Sequence, residues 1–143
     1  MQAKRFRPNP NDEFFTEEKC HILEIVNTPT FKDYSLAQAR VESGITTEWH
    51  WLKDTDELYY ILSGVGLMEI GDDFKKEVKS GDAIFIPKME KQRIHNTSDS
   101  DLVFLCICTP RWEAGNYLSQ TACLLYTSPS PRDATLSRMP SSA

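Results

Sequence analysis

Five side chains in the middle of this 143-residue chain could do chemistry together. Glu48 and His50 lie two apart, Glu57 and Tyr59 lie two apart, and Gln92 opens the run Gln92-Arg93-Ile94-His95-Asn96. Residues two apart on an extended strand share a face. Glu48, His50 and Leu52 therefore point one way. Glu57, Tyr59 and Ile61 share a face, and so do Gln92, Ile94 and Asn96. A fold that brings these faces together gathers one imidazole, one or two carboxylates, a phenol and a carboxamide. One imidazole with carboxylate and amide oxygens suits a borderline or hard divalent ion. The same groups without a metal make a polar pocket in which His50 hydrogen-bonds Glu57 or Gln92, as buried polar groups must. A His–Glu pair there could also act as general acid and base, moving a proton on a sugar or carbonyl compound.

The elements that must position these residues are short and β-rich. Runs at Cys20–Val26, Tyr34–Glu42, Thr46–Leu52, Glu57–Leu62, Gly66–Ile70, Lys75–Val78, Ala83–Ile86, Gln92–Asn96 and Leu102–Cys108 are mostly bounded by Gly, Pro, Asn, Asp or Ser. Ser63-Gly64, Gly71-Asp72-Asp73, Ser80-Gly81-Asp82 and Asn96-Thr97-Ser98-Asp99 are the clearest turns. Regular short strands between turn signals predict an all-β sandwich or barrel. No long stretch holds a capped helical stripe, and no repeat of solenoid length is visible.

Composition bounds the function classes. Hydrophobic residues make up 40% and charged residues 26%, an ordinary globular balance. No apolar run reaches the roughly 20 residues of a membrane helix. A net charge of -5, from 16 basic and 21 acidic residues, offers no clustered basic face for nucleic acid. The opening stretch lacks an apolar signal region, so a cytoplasmic protein with reduced thiols is expected. Residues 1–18 are expected to form an N-terminal arm and residues 19–120 the folded domain. Residues 121–143, rich in Ser, Pro, Thr and Arg, are expected to be a disordered tail. They resemble translated read-through of a sequencing adapter, with a genuine disordered tail as the alternative, and are set aside from the fold.

Two spaced motifs carry a family resemblance. Gly44, His50, Glu57 and Gly64 fall at the spacings of the first cupin motif, and Gly81, Pro87 and Asn96 at those of the second. The sequence resembles a small single-domain cupin of the RmlC-like superfamily over roughly residues 20–112. The resemblance implies a jelly-roll β-barrel of two antiparallel sheets. It also implies a metal site, from which this chain departs. The second His of the first motif is Leu52, the His of the second motif falls on Gln92, and the Gly of Pro-x-Gly is Met89. Two of the four ligands the resemblance implies remain, His50 and Glu57, with Gln92 as a weaker oxygen donor. A branch of small bacterial cupins shares this Gln and a run like Leu105-Cys106-Ile107-Cys108.

Such a chain is expected to bind a small polar or anionic organic ligand in the barrel, with a weakly held Fe, Mn, Ni or Zn at His50, Glu57 and Gln92 as one form of the site. The alternative is a metal-dependent isomerase, lyase or dioxygenase acting on a sugar or a carbonyl or carboxylate compound, with Tyr59 or Glu48 handling protons. Among Arg40, Lys53, Lys88, Lys91, Arg93 and Arg111, the cations Lys88 and Lys91 are best placed to meet an anion at the barrel mouth. His95 points away from the cavity, and His21 lies outside both motifs. Cys106 and Cys108 are expected to be small buried hydrophobes, with a soft-metal or redox pair as the alternative; Cys20 and Cys123 have no visible partner. Trp49 and Trp51 lie opposite His50 and need a cover. A second copy in a homodimer would supply it, or else the arm and Trp112 within one chain.

Overall fold

The computed structural model describes residues 2–119. The expected tail, with Cys123, lies outside the described residues. Among the described residues, eleven strands run in chain order: β1 (Phe14–Phe15), β2 (His21–Val26), β3 (Ser35–Val41), β4 (His50–Leu52), β5 (Asp56–Ser63), β6 (Val65–Ile70), β7 (Phe74–Lys79), β8 (Ala83–Ile86), β9 (Gln92–Asn96), β10 (Leu102–Thr109) and β11 (Tyr117–Ser119). They form a six-stranded sheet of order β1-β2-β3-β10-β5-β8 and a five-stranded sheet of order β11-β4-β9-β6-β7. Every pairing between these strands is antiparallel. This is the expected jelly roll.

Alternation explains the layers. On β3, Ser35, Ala37, Ala39 and Val41 are buried while Leu36, Gln38 and Arg40 face outward. On β9, Gln92, Ile94 and Asn96 are buried, so the inward face carries two polar side chains around one isoleucine. The inner faces meet in one apolar cluster that includes Ile22, Ile61, Met68, Ile94, Leu102 and Phe104. A smaller cluster of Leu52, Cys108, Trp112 and Tyr117 closes one end of the barrel.

Two differences from the sequence expectation bear on the site. The run expected over Thr46–Leu52 is interrupted. Thr46 makes only an isolated bridge to His95, and regular pairing begins at His50. The cause is an inserted segment: the Glu48 amide donates to the Glu18 carbonyl at 3.0 Å, and the Thr47 amide to the Ile94 carbonyl at 2.9 Å. The arm is also more than an appendage. Its β1 pairs with β2, and Glu13 holds Arg40 through two hydrogen bonds of 2.6 and 3.1 Å.

The motif positions show what their residues are for. Gly64 has φ of 93°, and a Cβ there would come within 2.8 Å of the Asp101 carbonyl oxygen. Met89, standing where the family pattern has glycine, has φ of 70°. Its amide is fixed by a 2.7 Å bond to the Leu52 carbonyl, so the left-handed conformation is imposed on a side chain that disfavours it. Met89→Gly is therefore expected to be neutral or to stabilise by up to about 1 kcal/mol, where the same change at an ordinary position costs about that much. Urea unfolding measures this, and a loss of 1 kcal/mol or more would show that Met89 is not strained.

Candidate functional site

The interior end of the barrel holds a small cavity of about 10 Å³, room for one water-sized group. Glu18, His50, Glu57, Tyr59, Phe104 and Trp112 are among its walls, with Leu52 and Cys106. Glu57 and Tyr59 come from β5 in one sheet, and His50 and Gln92 from β4 and β9 in the other, where the two are register partners.

A string of buried hydrogen bonds crosses between the sheets. The Tyr59 hydroxyl donates to Gln92 Oε1 at 2.6 Å, and Gln92 Nε2 donates to Glu57 Oε1 at 2.9 Å. The Cys108 thiol donates to Glu57 Oε2 at 3.5 Å. The direction of the string fixes the amide. A carboxylate accepts, so the NH₂ of Gln92 faces Glu57 and its oxygen faces the phenol. Burial first, and then the nearby Glu57 carboxylate, push the Tyr59 phenol well above its ordinary range. Tyr59 therefore stays protonated and donates.

His50 is held differently. Its Nδ1 lies 2.9 Å from the Glu48 carbonyl and 3.2 Å from Glu18 Oε2. A carbonyl oxygen only accepts, so the proton sits on Nδ1. With one proton on the ring, Nε2 is its bare nitrogen. The Tyr117 hydroxyl donates to the same Glu18 oxygen at 3.0 Å, and its ring stacks on His50 with centroids 5.7 Å apart. Glu18 and Tyr117 were invisible to sequence reasoning. No spacing rule links position 18 or 117 to position 50, and only the inserted segment and β11 bring them together.

Of the site residues expected from sequence, the structure brings together His50, Glu57, Tyr59 and Gln92. It does not bring Glu48. The Glu48 side chain is 40% exposed and paired with Lys19 at 3.1 Å. The interruption before His50 breaks the two-residue alternation: Thr47 and His50 line the cavity and Glu48 turns outward. Glu18 supplies the carboxylate that Glu48 was expected to supply. The expected cations are also elsewhere. Lys91 pairs with Asp72 at 3.0 Å, Arg40 with Glu13, and Arg93 with Glu69 at 2.6 Å. Lys88 is exposed. None of them lines the cavity. Lys91 and Arg93 lie over the Trp49 ring at 4.9 and 4.4 Å, and Trp112 is buried at the barrel end, so the cover expected from the arm and Trp112 is supplied to Trp49 by cations. His95 lies between the buried Ile94 and Asn96 and is half-buried on the other face. His21 meets Glu42 at 2.8 Å away from the cavity. Cys20, Cys106 and Cys108 are buried, and no disulfide joins them among the described residues.

Three comparisons bear on this geometry. The family whose sequence profile matches residues 38–108 is the cupin domain. An uncharacterised protein of Methanocaldococcus jannaschii, MJ1618, is 37% identical over 99 residues, covering 68% of this chain and 78% of that protein. The oxalate decarboxylase OxdC of Bacillus subtilis is 30% identical over 91 residues, covering 61% of this chain; the match spans only 24% of that larger protein. Among solved structures, KdgF from Halomonas sp. superposes with a TM-score of 0.67 at 18% identity, over 78% of this chain and 97% of that one.

The residues present do not fit a tightly held divalent ion. Leu52 offers no donor atom, the Gln92 oxygen accepts from Tyr59, and its nitrogen points at Glu57. Among the described residues, no group of three or more His, Cys, Asp and Glu side chains is placed to hold a metal. A four-coordinate site needs more. If the string organises the interior, Gln92→Leu strands a buried carboxylate and a phenol together and costs about 3 kcal/mol, whereas Tyr59→Phe costs about 1 kcal/mol. Denaturant titration of both variants checks the order, and equal losses would show that the Glu57 end does not depend on the amide.

Proposed function

This chain belongs to the cupin family, and we propose that its barrel interior is a binding pocket for a small polar organic molecule, recognised by hydrogen bonds and charge without a tightly held metal. The observation that carries this reading is the Gln92 carboxamide, engaged at both ends by Tyr59 and Glu57. An amide so engaged is a structural bridge, and His50 Nε2 and the Glu57 carboxylate are left as the recognising groups. Elemental mass spectrometry of the full chain should find Fe, Mn, Ni and Zn well below one equivalent. The Leu52→His/Gln92→His double variant, which supplies two more imidazoles, should take up close to one. Near-stoichiometric metal in the unaltered chain that disappears in His50→Ala would overturn the metal-free reading.

A second reading makes the pocket catalytic. The anchoring of Nδ1 by Glu18 and the Glu48 carbonyl supports it, because it leaves Nε2 as a base aimed at whatever the cavity holds. In this form His50 moves a proton on a sugar or carbonyl compound, and Tyr59 positions Gln92 without exchanging its own proton. The sequence similarity to an oxalate decarboxylase supports the lyase class for the metal-assisted alternative, which the same elemental measurement decides.

We propose further that two copies associate through the outer face of the six-stranded sheet. Leu36, Ile107, Leu58 and Phe85 form one register row across β3, β10, β5 and β8, all outward-facing and all apolar. The next row carries Gln38, Leu105, Tyr60 and Ala83. Phe85 is 59% exposed, Tyr60 41% and Leu62 40%. On a chain of net charge -5, two rows without charged side chains let two copies meet with little repulsion. Sedimentation velocity should show a dimer that Phe85→Lys dissociates; a monomer at all concentrations would remove the dimer from this reading.

A further inference from the structure

The cavity has a sign. Its walls carry two carboxylates, Glu18 and Glu57, and no Lys or Arg among the described residues. One imidazole stands against them, and it is committed to Glu18 at 3.2 Å. Glu57 is 5% exposed, and its partners are the Gln92 amide and the Cys108 thiol, both uncharged. A carboxylate taken out of water is costly to keep ionised without an opposite charge. Glu57 thus has no cationic partner among the cavity walls, and an anion placed there would deepen the imbalance. The remaining walls say which kind of cation fits. Tyr59, Phe104 and Trp112 present rings, and Leu52 presents a methyl surface where a metal would need oxygen or nitrogen. Aromatic faces attract organic cations, Trp most of all, and an ammonium group needs only two or three acceptors around it.

We propose that the ligand of this pocket is a small protonated amine whose ammonium group pairs with Glu57 and lies against the rings of Tyr59, Phe104 and Trp112. An anionic ligand, one of the two kinds expected from sequence, meets no Lys or Arg in the cavity walls among the described residues. The cavity as it stands admits a water-sized head group, so the ligand is one of the smallest amines. This inference rests on the reading that the barrel interior is a binding pocket, and the test separates the two.

Methyl NMR of the full chain, read at Ile22 and Leu52 in the cavity wall, is titrated in parallel with methylammonium, ethylene glycol, acetate and Zn²⁺. Methylammonium should shift both residues saturably, and Glu57→Gln, which keeps the side-chain shape, should weaken binding by about tenfold or more. Equal or stronger binding of ethylene glycol or acetate overturns the amine while leaving the pocket in place. Shifts from Zn²⁺ alone overturn it in favour of a metal, and methylammonium binding that Glu57→Gln leaves unchanged removes Glu57 from the role. No response to any of the four probes overturns both the amine and the pocket. The wild-type titrations stand even if the variant unfolds.

Discussion

One carboxamide holds the two halves of this interior in register. Gln92 comes from the five-stranded sheet, and both of its partners, Tyr59 and Glu57, come from one face of β5 in the six-stranded sheet. In a barrel interior shielded from bulk water, each donor must meet an acceptor or the fold loses the full cost of desolvating it. The string meets that demand in a single direction: phenol to amide oxygen, amide nitrogen to carboxylate. Reversing the amide would set its oxygen against a carboxylate. The direction of one side chain therefore sets which atoms of Glu57 and Tyr59 remain available.

The second polar device is independent of the first. Glu18, Tyr117 and the Glu48 carbonyl fix the His50 ring through Nδ1 at the cavity wall. Both devices use neighbours far apart in sequence. Glu18 arrives through the inserted segment, and Tyr117 arrives on a three-residue strand paired to β4. The Thr47 hydroxyl, accepting from the Ile94 amide at 2.9 Å, restores a bond that the interrupted strand would otherwise lose.

The strands were legible in the sequence because turn residues bound them and because alternation within each run is regular. The face carrying Gln92, Ile94 and Asn96, and the outward position of His95, followed from that alternation alone. Glu48 failed for a local reason: the period of two holds only while a strand pairs continuously, and the hydrogen bond from the Glu48 amide to the Glu18 carbonyl breaks it two residues before His50. Glu18 and Tyr117 failed for a global one. Their roles come from which segments meet across the barrel, and no pattern within either segment records the meeting. Lys88 and Lys91 missed the cavity for the same reason: they are close to Gln92 along the chain but are exposed and do not line it. The resemblance named the positions of His50, Glu57 and Gln92; their hydrogen-bond partners had to be seen.

The order of the six-stranded sheet has a consequence for how the chain reaches this state. β10 lies between β3 and β5 and hydrogen-bonds to both, yet it follows them by tens of residues. A chain emerging from the N-terminus has β3 and β5 in hand with no strand to join them. Both keep a bare edge until Leu102–Thr109 is made. Such pairings form slowly, because a long loop must close before any bond rewards it. The nascent chain is thus most open to wrong partners in the interval before β10 arrives, and fast elongation through residues 64–109 shortens that interval.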